Sequence, residues 1–184
     1  MFTDNLIKFT ELAALVNSST SSGASRSFKD CTGASVTCSF NVLQDGFLGW
    51  MDYGRCRQLP TTYASSSSGA YPGVYFGTGS TPASKADYTL ESPITSGLSI
   101  SSGTRLYADE GNGVHSYHAT FVVKNTGSAE INISEIGLFS SVNSSTSKFY
   151  CVLMERTVLD APITIAPGET KLVTYKLTFN QTVV

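Results

Sequence analysis

The sequence predicts an all-β, mainly antiparallel fold: a β-sandwich or jelly-roll-like domain carrying a short N-terminal helical arm. Three observations predict it. Apolar and polar residues alternate with a period of two through much of the C-terminal half, which marks strands with one face buried. Turn signals recur at intervals of about 8–12 residues with no crossover helices between them, the spacing of sandwiches rather than βαβ units. The composition agrees, with 27 Ser and 21 Thr among 184 residues and only 14% charged residues, against roughly 25% in average soluble proteins. Small hydroxyl residues suit strands and turns better than long helices.

Taken in chain order, residues 3–16 place Leu6, Phe9, Leu12, Ala13 and Val16 at spacings of three and four, with Thr3 or Asp4 available as an N-cap, and this predicts an amphipathic helix. The Ser/Gly-rich stretch 17–27 offers nothing to bury and reads as a connector. Residues 1–27 are therefore expected to be an arm and linker, and 28–184 the β-sandwich domain. The arm either folds back on its own domain or docks on a neighbouring subunit, where Phe2, Leu6, Phe9 and Leu12 would be the anchors.

Ser35 to Gly54 reads as one or two strands with an aromatic cluster of Phe40, Phe47, Trp50 and Tyr53, followed by a loop from Leu59 to Pro72. A strand holding Tyr75 and Phe76 ends at Gly77. Residues 80–105, broken by Pro82, Pro93 and several glycines, read as an irregular crossover. Val114 to Val123 alternates cleanly and runs into a turn, Asn125-Thr126-Gly127-Ser128, where Gly127 is able to take positive φ. Ile131, Ile133 and Ile136 to Phe139 resume one or two strands. Between Lys148 and Leu159 both alternating sets are largely apolar, the pattern of a central strand buried on both faces. Ile163 and Ile165 then lead through Ala166-Pro167-Gly168-Glu169 into the alternation of Val173, Tyr175, Leu177 and Phe179, a hairpin with one wet face.

Chemistry-bearing patterns are sparse. His115 and His118 stand three apart in a strand and face opposite ways, so they do not form a metal pair. No G-x-S-x-G elbow occurs. Gly77-Thr78-Gly79 resembles half of a phosphate loop, but Pro82 stands where the dinucleotide pattern wants Gly and no GK[ST] follows; the glycines read as turn residues. Asp109 and Glu110 before Gly111-Asn112-Gly113 lack the ligand alternation of a calcium loop and read as a hairpin tip. Cys31, Cys38, Cys56 and Cys151 show no zinc spacing, and without an export signal they are expected to be reduced. One pair stands out: Glu135 and Arg156 are charges in apolar strand segments, where an unpaired ion is prohibitive. They are expected either to meet or to bond backbone groups at a sheet corner, in a structural role.

A resemblance enters with a series of segments. Val74-Tyr-Phe-Gly-Thr-Gly-Ser-Thr-Pro82, Asp87 to Ile94, Asn125-Thr126-Gly127-Ser128, Ile133 to Phe139, Arg156 to Leu159 and Ile163 to Glu169 follow in the order seen in the virion β-domains of tailed bacteriophages, covering about residues 74–180. The chain thus resembles a tailed-phage structural protein of the tail, neck, baseplate or capsid-accessory kind. That resemblance implies a non-enzymatic subunit with no cofactor, localised to the virion. Its partners would be copies of itself and other virion proteins. Independently of the resemblance, Gly77, Gly79, Gly127 and Gly168 are expected to be structural turn residues. The chain ends soon after its last strand, which favours an adaptor or accessory subunit over a tip adhesin. Two neighbouring readings are a capsid decoration protein and a receptor- or glycan-binding module, the latter stacking sugars on Trp50, Tyr53, Tyr63, Tyr71 and Tyr75.

Charge and hydropathy exclude other partners. A net charge of −2 and a pI near 5.6 give no attraction to phosphates, so no nucleic acid is expected. No run approaches the roughly 18 apolar residues of a membrane-spanning helix, so no membrane partner is expected either.

Overall fold

The computed structural model describes residues 1–8, 25–39, 73–143 and 149–180. Eight strands follow one another: β1 (Ser25–Lys29), β2 (Ser35–Ser39), β3 (Gly73–Gly77), β4 (Leu98–Gly111), β5 (Val114–Asn125), β6 (Ile131–Asn143), β7 (Phe149–Ile165) and β8 (Thr170–Asn180). They form a β1–β2 hairpin, a sheet of order β3-β6-β7 and a sheet of order β4-β5-β8, with every strand pair antiparallel. The all-β, sandwich-like prediction holds.

Two kinds of burial pattern distinguish the sheets. In β8, Val173, Tyr175 and Leu177 are buried while Leu172, Thr174, Lys176 and Thr178 are exposed, the period of a strand with one wet face. In β6 and β7, by contrast, residues 135–140 and 152–156 are buried without interruption, as in strands covered on both sides. The inner face of the β3-β6-β7 sheet meets the other sheet in the main core, where Phe76 and Phe121 contact edge to face at 6.4 Å. Its outer face carries a second cluster of Cys31, Tyr75, Leu90, Phe139 and Leu153.

Several sequence expectations need correction. β1 begins at Ser25, inside the stretch read as linker, because Ser25, Arg26 and Ser27 pair with Ser39, Cys38 and Thr37 and so place Phe28 in the core. β4 begins at Leu98 rather than after residue 105, because its pairing with Leu98↔Asn125 and Ile100↔Val123 is fixed by the partner strand and not by its own Ser-rich sequence. β7 continues to Ile165 and lies at the edge of its sheet, with β6 in the centre. It is nevertheless buried on both faces because other segments cover it.

One of those segments is the N-terminus. Thr3 N donates to Met154 O and Arg156 N to Met1 O, both at 3.0 Å, and Phe2 forms an antiparallel bridge with Glu155. Thr3 Oγ1 donates to Leu153 O at 2.7 Å. The free rim of β7 would otherwise leave buried backbone groups without partners. Residues 4–8 form a helical turn whose Asn5 clamps Lys29, donating to its carbonyl at 2.8 Å and accepting from its amide at 2.9 Å. The arm therefore folds back on its own domain within the described residues. Leu6 is buried in this chain's own core and is not an anchor for a neighbour. Phe2 remains 38% exposed, while Phe9 and Leu12 lie outside the described residues, as do residues 40–72 with Trp50, Tyr53, Tyr63 and Tyr71.

Candidate functional site

The most elaborate polar site is built where β6 and β7 carry charge into the sheet's outer face. Gly137 and Arg156 are register partners, as are Gly77 and Glu135, so the glutamate and the arginine emerge on the same side. Arg156 Nε donates to Glu135 Oε2 at 2.7 Å. The guanidinium also reaches Asp87 at 2.9 Å and Glu91 at 3.4 Å, both supplied by the segment between β3 and β4. Glu135 is fully buried and Arg156 is 3% exposed.

Each oxygen of the Glu135 carboxylate has a further backbone partner. Oε1 accepts from Gly79 N at 3.2 Å and Ser92 N at 2.8 Å, and Oε2 from Glu91 N at 3.1 Å. Glu91 in turn accepts from Thr81 N and Oγ1 at 2.8 and 2.6 Å, and Asp87 from Ser84 N at 2.9 Å. Burial works against the charge of Arg156, but its bonds to Asp87 and Glu135 prevail and hold its pKa above the ordinary value. Hydrogen bonds from Thr81 are the main cause that holds Glu91 below the usual carboxylate range.

This arrangement explains two glycines. A side chain at Gly79 would meet Glu135 Oε1 at 2.7 Å and Glu91 Cβ at 2.6 Å, and one at Gly77 would meet the Glu135 carboxylate and Ser92 O. Both are required by close approach rather than by φ, and the Gly79 amide that a phosphate loop would offer to a ligand is occupied by Glu135. Gly168 does turn the chain with φ of +76°, as the sequence implies. Gly127 does not adopt positive φ; its turn is closed instead by its amide donating to Asn125 Oδ1 at 2.9 Å. Asn125, fully buried, also donates to Ala129 O and Ile165 O, tying the β5–β6 and β7–β8 turns together.

Glu155, which sequence reasoning missed, points away from Arg156 into the space between the sheets. It accepts from Tyr175 Oη at 2.8 Å, Thr157 Oγ1 at 2.6 Å and the Met1 α-amino group at 2.7 Å. Burial, then the neighbouring carboxylate, pushes the Tyr175 phenol well above its usual range. The same argument that singles out Arg156, a charge in an apolar strand, applies to its neighbour in sequence.

The outer face of the β4-β5-β8 sheet holds a looser cluster. Glu110 accepts from Lys176 Nζ at 2.8 Å and from Ser116 Oγ, which also contacts His118 Nε2 at 2.8 Å. Bonds from Lys176 and Ser116 hold Glu110 down at about 2. This is not a Ser-His-acid triad, in which hydroxyl and acid face opposite ring nitrogens: Glu110 Oε1, at 3.6 Å, and Ser116 Oγ both face His118 Nε2, and Ser116 is fully buried. His115 lies apart, stacked on Tyr107 with centroids 5.9 Å from one another. Asp109 closes the hairpin tip by accepting from Gly111 N. Among the described residues, no three His, Cys, Asp or Glu side chains converge as a metal site requires. Tyr75, one of the aromatics considered for sugar stacking, is 1% exposed and packs on Phe139 at 5.2 Å, so it presents no surface.

Chemically, the Glu135–Arg156 site is closed: its described oxygens and nitrogens bond one another and nearby amides. It joins β6 and β7 to the 79–92 segment. Comparison of the chain with protein-family models, curated proteins and solved structures finds no match in any of the three.

Proposed function

We propose that the chain is a non-enzymatic structural subunit of a tailed-phage particle, an adaptor or accessory protein of the tail, neck or baseplate that associates with copies of itself and other virion proteins through the faces of its sandwich. One observation carries this reading. Four of the segments on which the phage resemblance rests, at 77–82, 87–92, 133–139 and 156–159, lie far apart in sequence yet converge on the Glu135–Arg156 network. The shared order of motifs thus corresponds to one physical unit, an internally bonded clasp. Such a clasp fixes an irregular segment of the surface against a sheet, which suits a subunit that has to present an invariant shape to its neighbours.

In this reading, residues 1–8 serve the subunit's own fold, and contacts between subunits fall on the sandwich. The test is mass spectrometry of purified phage particles together with imaging of where the protein sits. Retention at a fixed copy number through gradient purification is the expected result. Abundance in the infected lysate with loss from washed particles would overturn the proposal.

A further inference from the structure

We propose that Cys31 and Cys151 form a reversible disulfide that staples the β1–β2 hairpin to β7, an inference that does not rest on the virion reading. The two residues are far apart in sequence but adjacent in space: Cys31 N donates to Cys151 O at 2.9 Å, and their thiols interact. A direct backbone hydrogen bond places the two Cα atoms within the roughly 4.4–6.8 Å range that a disulfide spans. Both side chains belong to the outer cluster with Tyr75, Leu90, Phe139 and Leu153. Both are free thiols here.

Their exposure assigns the roles. Cys151 is partly exposed and Cys31 is buried at 4%, so a small disulfide oxidant such as oxidised glutathione meets Cys151 first. The Cys151 thiolate attacks one sulfur of the oxidant and expels one glutathione thiolate, leaving a mixed disulfide. The Cys31 thiolate then attacks the Cys151 sulfur and expels the second. Two protein thiols are oxidised, one glutathione disulfide is reduced to two thiols, and the two protons leaving the cysteines end on the glutathiones. The hydrogen bond that the Cys151 thiol donates to Cys31, then burial, hold it above its ordinary pKa. Its thiolate fraction is therefore small at neutral pH, and the rate of closure rises with pH.

Cys38 is excluded from this chemistry. It sits 1% exposed in the main core rather than the outer cluster, and burial pushes its thiol to about 11. The closed bond would link residues 31 and 151, a long loop whose closure stabilises the folded state chiefly by constraining the unfolded chain.

The experiment uses the full chain, incubated with oxidised glutathione across a pH series, quenched with acid, denatured and alkylated. Two of the four thiols should be lost, the intact mass should fall by two hydrogens, and digestion without reductant should yield a peptide pair joining Cys31 to Cys151. The rate should rise with pH. The thermal midpoint should rise on oxidation and return on adding dithiothreitol, and Cys151→Ala should abolish both changes. The proposal is overturned if all four thiols still alkylate, if Cys151 stops at a glutathione adduct, or if the bond joins Cys38 or Cys56. Because the thiol count is read on the unaltered protein, a variant that fails to fold does not weaken the test.

Discussion

Glu135 and Glu110 each hold a cation at nearly the same distance, 2.7 Å to Arg156 and 2.8 Å to Lys176, on different sheets and in opposite circumstances. Glu135 is fully buried and bonds three backbone amides besides its arginine. Glu110 stands on a wet face, with 37% of its side chain exposed. The distance alone says little about what each pair does. A buried ion stripped of its partner has no water to turn to, whereas an exposed one is rehydrated at once. The first pair therefore holds the fold of a segment, and the second modulates a surface.

The largest effect should come from breaking the buried pair. Glu135→Ala and Arg156→Ala should each cost about 3–5 kcal/mol in denaturant unfolding, and the double variant should cost less than the sum, because each single change strands the other ion. Additive losses would show that the two charges do not depend on one another. Tyr175→Phe removes one of the three donors to Glu155 and should cost about 1.5–3 kcal/mol. Gly79→Ala forces a methyl against Glu135 and Glu91 and should cost about 1–3 kcal/mol; an unchanged unfolding midpoint would mean the 79–92 segment is free to retreat from the clasp.

Glu110→Gln sharpens the comparison from the other side. A carboxyl held at about 2 in the folded state and near 4.3 when unfolded contributes stability that is complete above the unfolded value. That contribution is lost as the pH falls toward 2. The Gln variant should therefore differ only slightly from the parent at neutral pH, and the difference should shrink below about pH 4. Raising the salt concentration should erase it as well, since exposed charges are screened, while the deficit of Glu135→Ala should persist. The smallest effect is expected at Leu172→Thr, on the wet face of β8 and 72% exposed, where the unfolding midpoint should barely move.

The same contrast explains what was legible in the sequence. β5 and β8 announce themselves because one face is wet and the period of two survives. The meeting of Glu135 and Arg156 could be anticipated from charge placed in apolar strands, and Glu155 was open to the same argument. The remaining partners were not. Asp87, Glu91 and Ser92 sit in a segment without period, and nothing in their own neighbourhood says that Glu135 will reach them. β1 and the first half of β4 are Ser-rich and acquire their strand character from partners elsewhere in the chain. The edge position of β7 was hidden for a related reason: its apolar run reflects being covered, and an isolated bridge such as that of Phe2 with Glu155 is too short to carry a pattern.

That bridge has a consequence for how the molecule behaves among many copies of itself. An uncovered sheet rim is a template on which another chain can add a strand, and growth by such addition has no natural end. With Met1 and Thr3 hydrogen-bonded along Met154–Arg156, that stretch of the template is already occupied by residues of the same chain. Removing those few residues would bare the Met154–Arg156 stretch of the rim to strand addition by another copy.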